Sequence, residues 1–141
     1  MRRVSLSELA RREHAARVLS VIREAGYDMA RVREVIGRRI EKLKKAKMEL
    51  EQMSEEEFRR RVSRMIFGVA LKGYYIEKLE KTIEEYEGIL KEIESLLKYY
   101  VSDRQFFDWH IKEYYKGYVR EAREAFRRLA SAKITSFGVI E

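Results

Sequence analysis

Apolar residues recur at every third or fourth position along most of the chain, which is the pattern of amphipathic helices. The clearest run consists of Ile76, Leu79, Ile83, Tyr86, Leu90, Ile93 and Leu97. A later run with the same spacing consists of Phe107, Ile111, Tyr114, Tyr118, Ala122, Phe126 and Leu129. No segment has the pattern of a credible strand, and none of the 141 residues is proline. The sequence therefore predicts an all-α protein.

Capping residues divide this pattern into about five helices. Ser5 with Glu8, and Ser54 with Glu57, have the spacing of a capping box. The predicted helices are Ser5 to Ala25, closed by Gly26; Asp28 to about Met53; Ser54 to Gly73; about Tyr74 to Val101; and a fifth that Ser102 or Asp103 caps, followed by a short tail from Thr135 to Glu141. We expect helices three to five, with part of helix two, to form an antiparallel bundle.

The net charge of +7 is concentrated in the first third of the chain. Residues 1–49 contain fourteen basic and seven acidic side chains, whereas residues 50–141 contain seventeen of each. Such an asymmetry is typical of a basic arm joined to a neutral body. We therefore predict a basic helical arm at 1–49, made of helices one and two, and a helical body at 50–141.

The composition leaves little for catalysis. The chain has no cysteine, which excludes disulfides, thiolate zinc sites and cysteine nucleophiles. It has no Glu-x-x-His motif and no glycine-rich loop after a strand, so neither a di-iron site nor a phosphate loop is expected. His110, near Asp108 and Glu113, is the candidate for half of a metal or acid-base site, and a structural role is the favoured interpretation. We predict a protein that is not an enzyme and needs no metal, cofactor or small-molecule substrate.

Charged residues interrupt every apolar stretch that would otherwise be long enough to act as a signal or cross a membrane. We therefore expect no visible export signal and no membrane-spanning segment. The chain has no asparagine, only two glutamines (Gln52 and Gln105) and 39% charged residues. This composition is typical of hyperthermophile proteins.

Helix two carries basic residues on the side opposite its apolar stripe. The stripe consists of Met29, Val32, Val35, Ile36, Ile40, Leu43, Ala46, Leu50 and Met53. The other side carries Arg31, Arg33, Arg38, Lys42, Lys44 and Lys45, while Arg39 and Lys47 flank the stripe. Too few glutamates lie among them for i,i+4 pairing to neutralise the charge. The face is either an ordinary solvated surface or one that contacts phosphates, and the local charge excess favours phosphates.

Helix one carries a second set of arginines. Arg12, Ala16, Ser20 and Arg23 lie near one line, where small residues allow close approach either to a phosphate backbone or to another helix. No short recognition helix follows a tight turn, so contact with nucleic acid is expected to be independent of base sequence. The predicted contacts are Arg2, Arg3, Arg11, Arg12, Arg17, Arg23, Arg31, Arg38, Arg39, Lys42, Lys44, Lys45 and Lys47.

Two further features bear on partners. Basic residues recur at 58–64, where the preceding glutamates are placed to pair with them, and in a looser strip in helix five that either extends the binding surface or contacts another subunit. That strip consists of Lys112, Lys116, Arg120, Arg123, Arg127 and Arg128. The nine tyrosines include three adjacent pairs. We expect one tyrosine of each pair in the core and the other at a subunit interface, rather than stacked on bases.

A basic helical arm on a small, aromatic-rich helical body of hyperthermophile composition resembles the major capsid proteins of filamentous and rod-shaped viruses of hyperthermophilic archaea. In that family small all-helical subunits, often paired, wrap double-stranded DNA with their N-terminal helices inside a helical filament. The resemblance lies in size, helix order and the arm from Ser5 to about Lys47. It implies a capsid subunit in the virion, with double-stranded DNA and either itself or a paralogous coat subunit as partners.

Two other functional classes fit the same features. One is a chromatin-like or regulatory DNA-binding dimer in the cytoplasm. The other is a helical adaptor whose basic arm meets an acidic protein or an anionic membrane surface, although nothing else in the sequence indicates contact with a membrane.

Overall fold

Six helices account for nearly all of the described chain. The computed structural model describes residues 5–62 and 72–136, and these contain no strand. The helices are α1 (Leu6–Glu24), α2 (Met29–Gln52), α3 (Glu55–Val62), α4 (Lys72–Ser102), α5 (Arg104–Tyr114) and α6 (Val119–Ser136). The prediction of an all-α protein is confirmed.

Helices α1, α3 and α5 begin at predicted caps. The Ser5 and Ser54 hydroxyls each accept a hydrogen bond from the backbone N–H three residues later, at 3.2 and 3.1 Å. Asp103, rather than Ser102, caps α5 by accepting from a backbone N–H at 3.1 Å. Because the first N–H groups of a helix have no partner inside it, these side chains determine where each helix starts.

Two predicted boundaries are wrong. The single fifth helix is in fact two, because α5 ends at Tyr114 and Gly117 adopts a φ of 88°, a left-handed conformation that favours glycine. Gly73 lies inside α4, so it does not end the helix before it. Of the predicted tail, Thr135 belongs to α6, and residues 137–141 lie outside the described residues.

The break before α6 changes which tyrosine enters the core. Uninterrupted helical spacing predicts Tyr114 and Tyr118 on the buried side, but Tyr114 is 42% exposed and Tyr115 is fully buried. This adjacent pair divides between core and surface, as predicted for each pair. Tyr99 and Tyr100 are both half-buried, so the same prediction is wrong for them.

Replacing Gly117 by alanine will destabilise the protein by about 1 kcal/mol, because an L side chain is strained at this φ. Gly88 offers the matched control, since it lies inside α4 with open space where a Cβ would be. Gly88→Ala will therefore stabilise the protein by roughly 0.5–1 kcal/mol. Urea denaturation followed by circular dichroism measures both changes. Two effects of the same sign would contradict this account of the turn.

The described residues form two compact units. The first comprises the described parts of Met1–Ile36 and Ile89–Glu141, and the second that of Gly37–Gly88. This division does not coincide with the predicted boundary between arm and body at residue 49. It also separates α3 from α5 and α6, which the sequence pattern predicts in one bundle.

The core of the first unit forms around α6. Both α1 and α5 contact α6, and the ring of Phe107 in α5 meets that of Phe126 in α6 edge-on, with centroids 5.6 Å apart. The buried residues of α1, none more than 1% exposed, are Ala15, Val18, Leu19, Val21 and Ile22. Helix α1 therefore contributes to this core and does not project as an arm.

The second unit has a thinner core. Phe58 of α3 is 2% exposed, and its ring meets that of Tyr75 in α4 edge-on at 5.7 Å. Tyr86 of α4 is also nearly buried. The ammonium group of Lys72 donates a hydrogen bond to the carbonyl of Met53 at 2.7 Å, which satisfies backbone at the C-terminal end of α2.

Candidate nucleic-acid interface

Four basic side chains on α2 form an exposed surface in the second unit, which we call the α2 cationic face. It consists of Arg38, Lys42, Lys44 and Lys45. Arg38, Lys42 and Lys45 follow one another at spacings of four and three residues, so they lie on one side of the helix along roughly 10 Å of its axis. Lys44 lies about 120° further round the helix, where it lines a groove with Glu80, Glu84 and Glu87 of α4. Among the described residues, none of the four has a hydrogen-bond or ion-pair partner.

The opposite side of α2 explains why this face points to solvent. Ile40, Leu43 and Ala46 are half-buried there. Because an amphipathic helix turns its apolar stripe inward, the residues across from that stripe are left in water. The prediction that this stripe faces protein is confirmed.

Arg39 and Lys47, predicted as phosphate contacts, are instead engaged within the second unit. The Arg39 guanidinium donates a hydrogen bond to the Tyr86 hydroxyl at 3.2 Å and lies 5.7 Å from the centre of its ring. The Lys47 ammonium lies 3.2 Å from a carboxylate oxygen of Glu80. Both side chains are half-buried on the α4 side of α2, so they do not belong to the α2 cationic face.

The α2 cationic face keeps a positive balance. Glu34, Glu41 and Glu49 are the exposed acids nearest to it on α2, and none has an ion-pair partner among the described residues. Four cations against three acids leave a small excess of positive charge. That charge acts over a Debye length of roughly 8–10 Å at ordinary salt concentrations. A polyanion approaching this side of α2 is therefore attracted rather than repelled.

The arginines of α1 belong to the first unit. Arg12 and Arg23 are exposed and have no ion-pair partner among the described residues, while Arg17 is half-buried and engaged. Arg11 lies 5.4 Å from the centre of the Tyr114 ring. Because α1 buries its other side, the line from Arg12 to Arg23 is not its main packing face.

The remaining predicted contacts are placed as follows. Arg31 is exposed at the start of α2, in the first unit. Arg2 and Arg3 lie outside the described residues. In the basic segment at 58–64, Arg61 forms the expected i,i+4 ion pair with Glu57 at 3.0 Å.

His110 forms no half-site with Asp108 or Glu113 among the described residues. Asp108 instead lies 3.6 Å from the Nε of Arg123, and His110 stacks on Tyr114 with ring centroids 4.5 Å apart. The Nε2 atom of His110 is buried and has no hydrogen-bond partner among the described residues. Glu113 makes no hydrogen bond to it either. Within the described ranges, no group of three or more His, Asp or Glu side chains is placed to hold a metal ion.

The polar cluster around Glu92 was not predicted from the sequence. Its carboxylate accepts a hydrogen bond from the Tyr115 hydroxyl at 2.8 Å and lies 2.9 Å from the Nε2 of His14 in α1. Burial alone would raise the pKa of Glu92, but the hydrogen bonds from His14 and Tyr115 and the charge of His14 lower it below its ordinary value. Burial, followed by the Glu92 carboxylate, raises the pKa of Tyr115 well above its ordinary value. The cluster ties α1, α4 and the end of α5 together.

His110 will make stability depend on pH near neutrality. Burial lowers its pKa below 6.5, against the opposing charge of Glu92, so the folded state favours the neutral ring. The stability that depends on a neutral His110 is fully present above pH 6.5, the pKa of the unfolded state, and is lost as the pH falls through the lower pKa of the folded state. The free energy of unfolding of the wild type minus that of His110→Gln should therefore decrease as the pH is lowered from about 7.5 to 5.5. A difference that stays constant or increases would contradict the burial of a neutral His110.

Comparisons with known proteins identify no family. No protein-family model, no curated protein and no solved structure matches the chain. Across residues 5–62 and 72–136, no helix is long and apolar enough to cross a membrane. Functional inference therefore depends on the geometry and charge of the surfaces described above.

Proposed function

We propose that this protein is a structural subunit that binds double-stranded DNA independently of base sequence through the α2 cationic face. The observation that carries the proposal is the contrast within α2. Arg39 and Lys47 are held by neighbouring side chains, whereas Arg38, Lys42, Lys44 and Lys45 are exposed and have no described partner.

The chemistry of this face suits phosphates rather than bases. Guanidinium and ammonium groups neutralise backbone phosphates and release condensed counterions, which supplies most of non-specific affinity. Contacts to phosphate position a protein on the duplex but carry no sequence information. A face of three lysines and one arginine on a single helix is suited to contact backbone phosphates.

A second surface supports assembly into a coat. Phe106, Trp109 and Tyr114 of α5 are 37%, 52% and 42% exposed, and their rings lie close to one another along the helix. Aromatic side chains are enriched at protein interfaces. We propose that this surface contacts a second copy of the chain or a paralogous coat subunit. Such contacts would extend DNA-bound subunits into a helical filament, as expected of a capsid protein in a virion.

Fluorescence anisotropy with two labelled duplexes of unrelated sequence tests DNA binding. We expect the two affinities to agree within about threefold, and each to fall steeply with salt. A preference of a hundredfold or more for one duplex, about 2.7 kcal/mol, would favour a regulatory DNA-binding protein instead. No affinity for any duplex at low salt would contradict DNA binding and leave the adaptor of an acidic protein or membrane surface.

A further inference from the structure

A cleft in the first unit is lined by four arginines. It lies between the last turns of α4 and the first turns of α5 and α6, and its volume is about 680 Å³. This is within the range of pockets that hold small organic ligands, roughly 300–1,000 Å³. Its arginines are Arg104, Arg120, Arg123 and Arg127.

Aromatic packing builds the walls of this cleft. Asp103 caps α5, which places Arg104 at the first helical position. The Arg104 guanidinium lies 3.9 Å from the centre of the Tyr100 ring. Phe107 meets Tyr100 edge-on at 5.0 Å and Phe126 of α6 at 5.6 Å, so the ends of α4, α5 and α6 hold one another in place.

The positive charge of the cleft is not balanced. Glu124 is the acid among its lining residues, and both oxygens of its carboxylate are held by Arg127, at 3.0 and 2.5 Å. Arg104 and Arg120 have no acidic partner among the described residues. Arg123 lies 3.6 Å from Asp108, but its Nε is buried and makes no hydrogen bond to a described residue.

We propose that this cleft binds a phosphate group, with room for an attached nucleoside. Guanidinium groups present planar pairs of donors that match phosphate oxygens, and they are weakly hydrated, which suits a half-enclosed site. A bound dianion would neutralise the charge of Arg104 and Arg120, which have no acidic partner among the described residues. The half-buried side chains of Tyr100 and Val119 would lie against the attached base or sugar. The phosphate belongs either to a free nucleotide or to a nucleic-acid backbone.

Calorimetry on the full chain tests this site with inorganic pyrophosphate, and anisotropy tests it with duplex DNA. The variant Arg104→Gln/Arg120→Gln removes two unpaired cations, and Arg120→Gln alone provides an exposed single change if the double variant is unstable. Lys91→Gln/Lys98→Gln, at exposed positions of α4 that do not line the cleft, removes the same charge and is the matched control. Each lost charged hydrogen bond should weaken binding roughly tenfold or more.

Each combination of results decides the proposal. A site for one pyrophosphate that weakens at least tenfold in Arg104→Gln/Arg120→Gln, and not in Lys91→Gln/Lys98→Gln, supports a free phosphate ligand. Absence of pyrophosphate binding together with weaker duplex binding in the Arg104→Gln/Arg120→Gln variant supports a backbone phosphate. If that variant weakens neither pyrophosphate nor duplex binding, or if the control weakens binding equally, the site is overturned. The cleft belongs to the first unit, whereas the α2 cationic face belongs to the second. If pyrophosphate still binds after the α2 cationic face is neutralised, failure of the proposed function would leave the proposed phosphate site standing.

Discussion

Neutralising the α2 cationic face is expected to abolish most duplex binding at moderate salt. In the variant with Arg38, Lys42, Lys44 and Lys45 all changed to Gln, four phosphate contacts are lost. Each contact contributes about −0.9 to the slope of log K against log salt, so the slope should become less steep by about 3.6. If the contacts are purely electrostatic, the same change corresponds to a loss of affinity on the order of 10³-fold at 0.1 M salt.

Arg39 stays in place in this variant, because its hydrogen bond to Tyr86 belongs to the packing of the second unit. The matched control changes four exposed lysines elsewhere to Gln and removes the same charge: Lys78, Lys81, Lys91 and Lys98. Circular dichroism should show unchanged helicity for both proteins. If the control lost as much affinity as the α2 variant, binding would depend on net charge alone, and the face would have no special part in it.

Phe126→Ala is expected to cost about 3–5 kcal/mol of the free energy of unfolding. Phe126 is fully buried, its ring meets Phe107 and Tyr115 edge-on, and its removal leaves a cavity where α6 joins the core. A domain has only about 5–15 kcal/mol of stability in total, so the loss is a large fraction of it. Urea denaturation measures it from the shift in midpoint.

Phe106→Ala is the comparison for this effect. Phe106 lies on the same helix as Phe107 but is 37% exposed. The Phe106→Ala substitution should lower the free energy of unfolding by less than half as much as Phe126→Ala, because truncating a partly exposed side chain removes less buried apolar surface. A similar cost for Phe106 and Phe126 would contradict the core described for the first unit.

The sequence predicted those features that depend on a single helix. Ser5 and Ser54 are identified as caps because capping uses residues three positions apart, whereas the pattern leaves the cap of α5 open between Ser102 and Asp103. The exposure of Arg38 and Lys42 follows likewise from their position opposite the apolar stripe of their own helix. The existence of the α2 cationic face could therefore be predicted before its structure was known.

Partners distant in sequence could not be predicted in this way. Arg39 and Lys47 are half-buried because they contact Tyr86 and Glu80. Both partners lie on α4, more than thirty positions further along the chain. A helical wheel gives the position of a residue on its own helix and not the side chains of its neighbour. Glu92 was missed for the same reason, since its partners come from α1 and α5.

The break at Gly117 shows a different limit. Gly37 and Gly88 lie inside helices, whereas Gly117 has a positive φ between two helices. An isolated glycine is tolerated in a helix at a cost of about 1 kcal/mol, so its presence alone does not mark an end. Tertiary packing decides, here by burying Tyr115 rather than Tyr114.

A cryo-electron microscopy map of the protein mixed with linear double-stranded DNA tests the proposed function most directly. We predict a helical array of subunits around the duplex, with Arg38, Lys42 and Lys45 of α2 next to backbone phosphates. Discrete dimers on DNA would support binding and contradict the coat. A complex in which α2 turns this face away from the nucleic acid, or particles that contain no nucleic acid, would contradict the central claim.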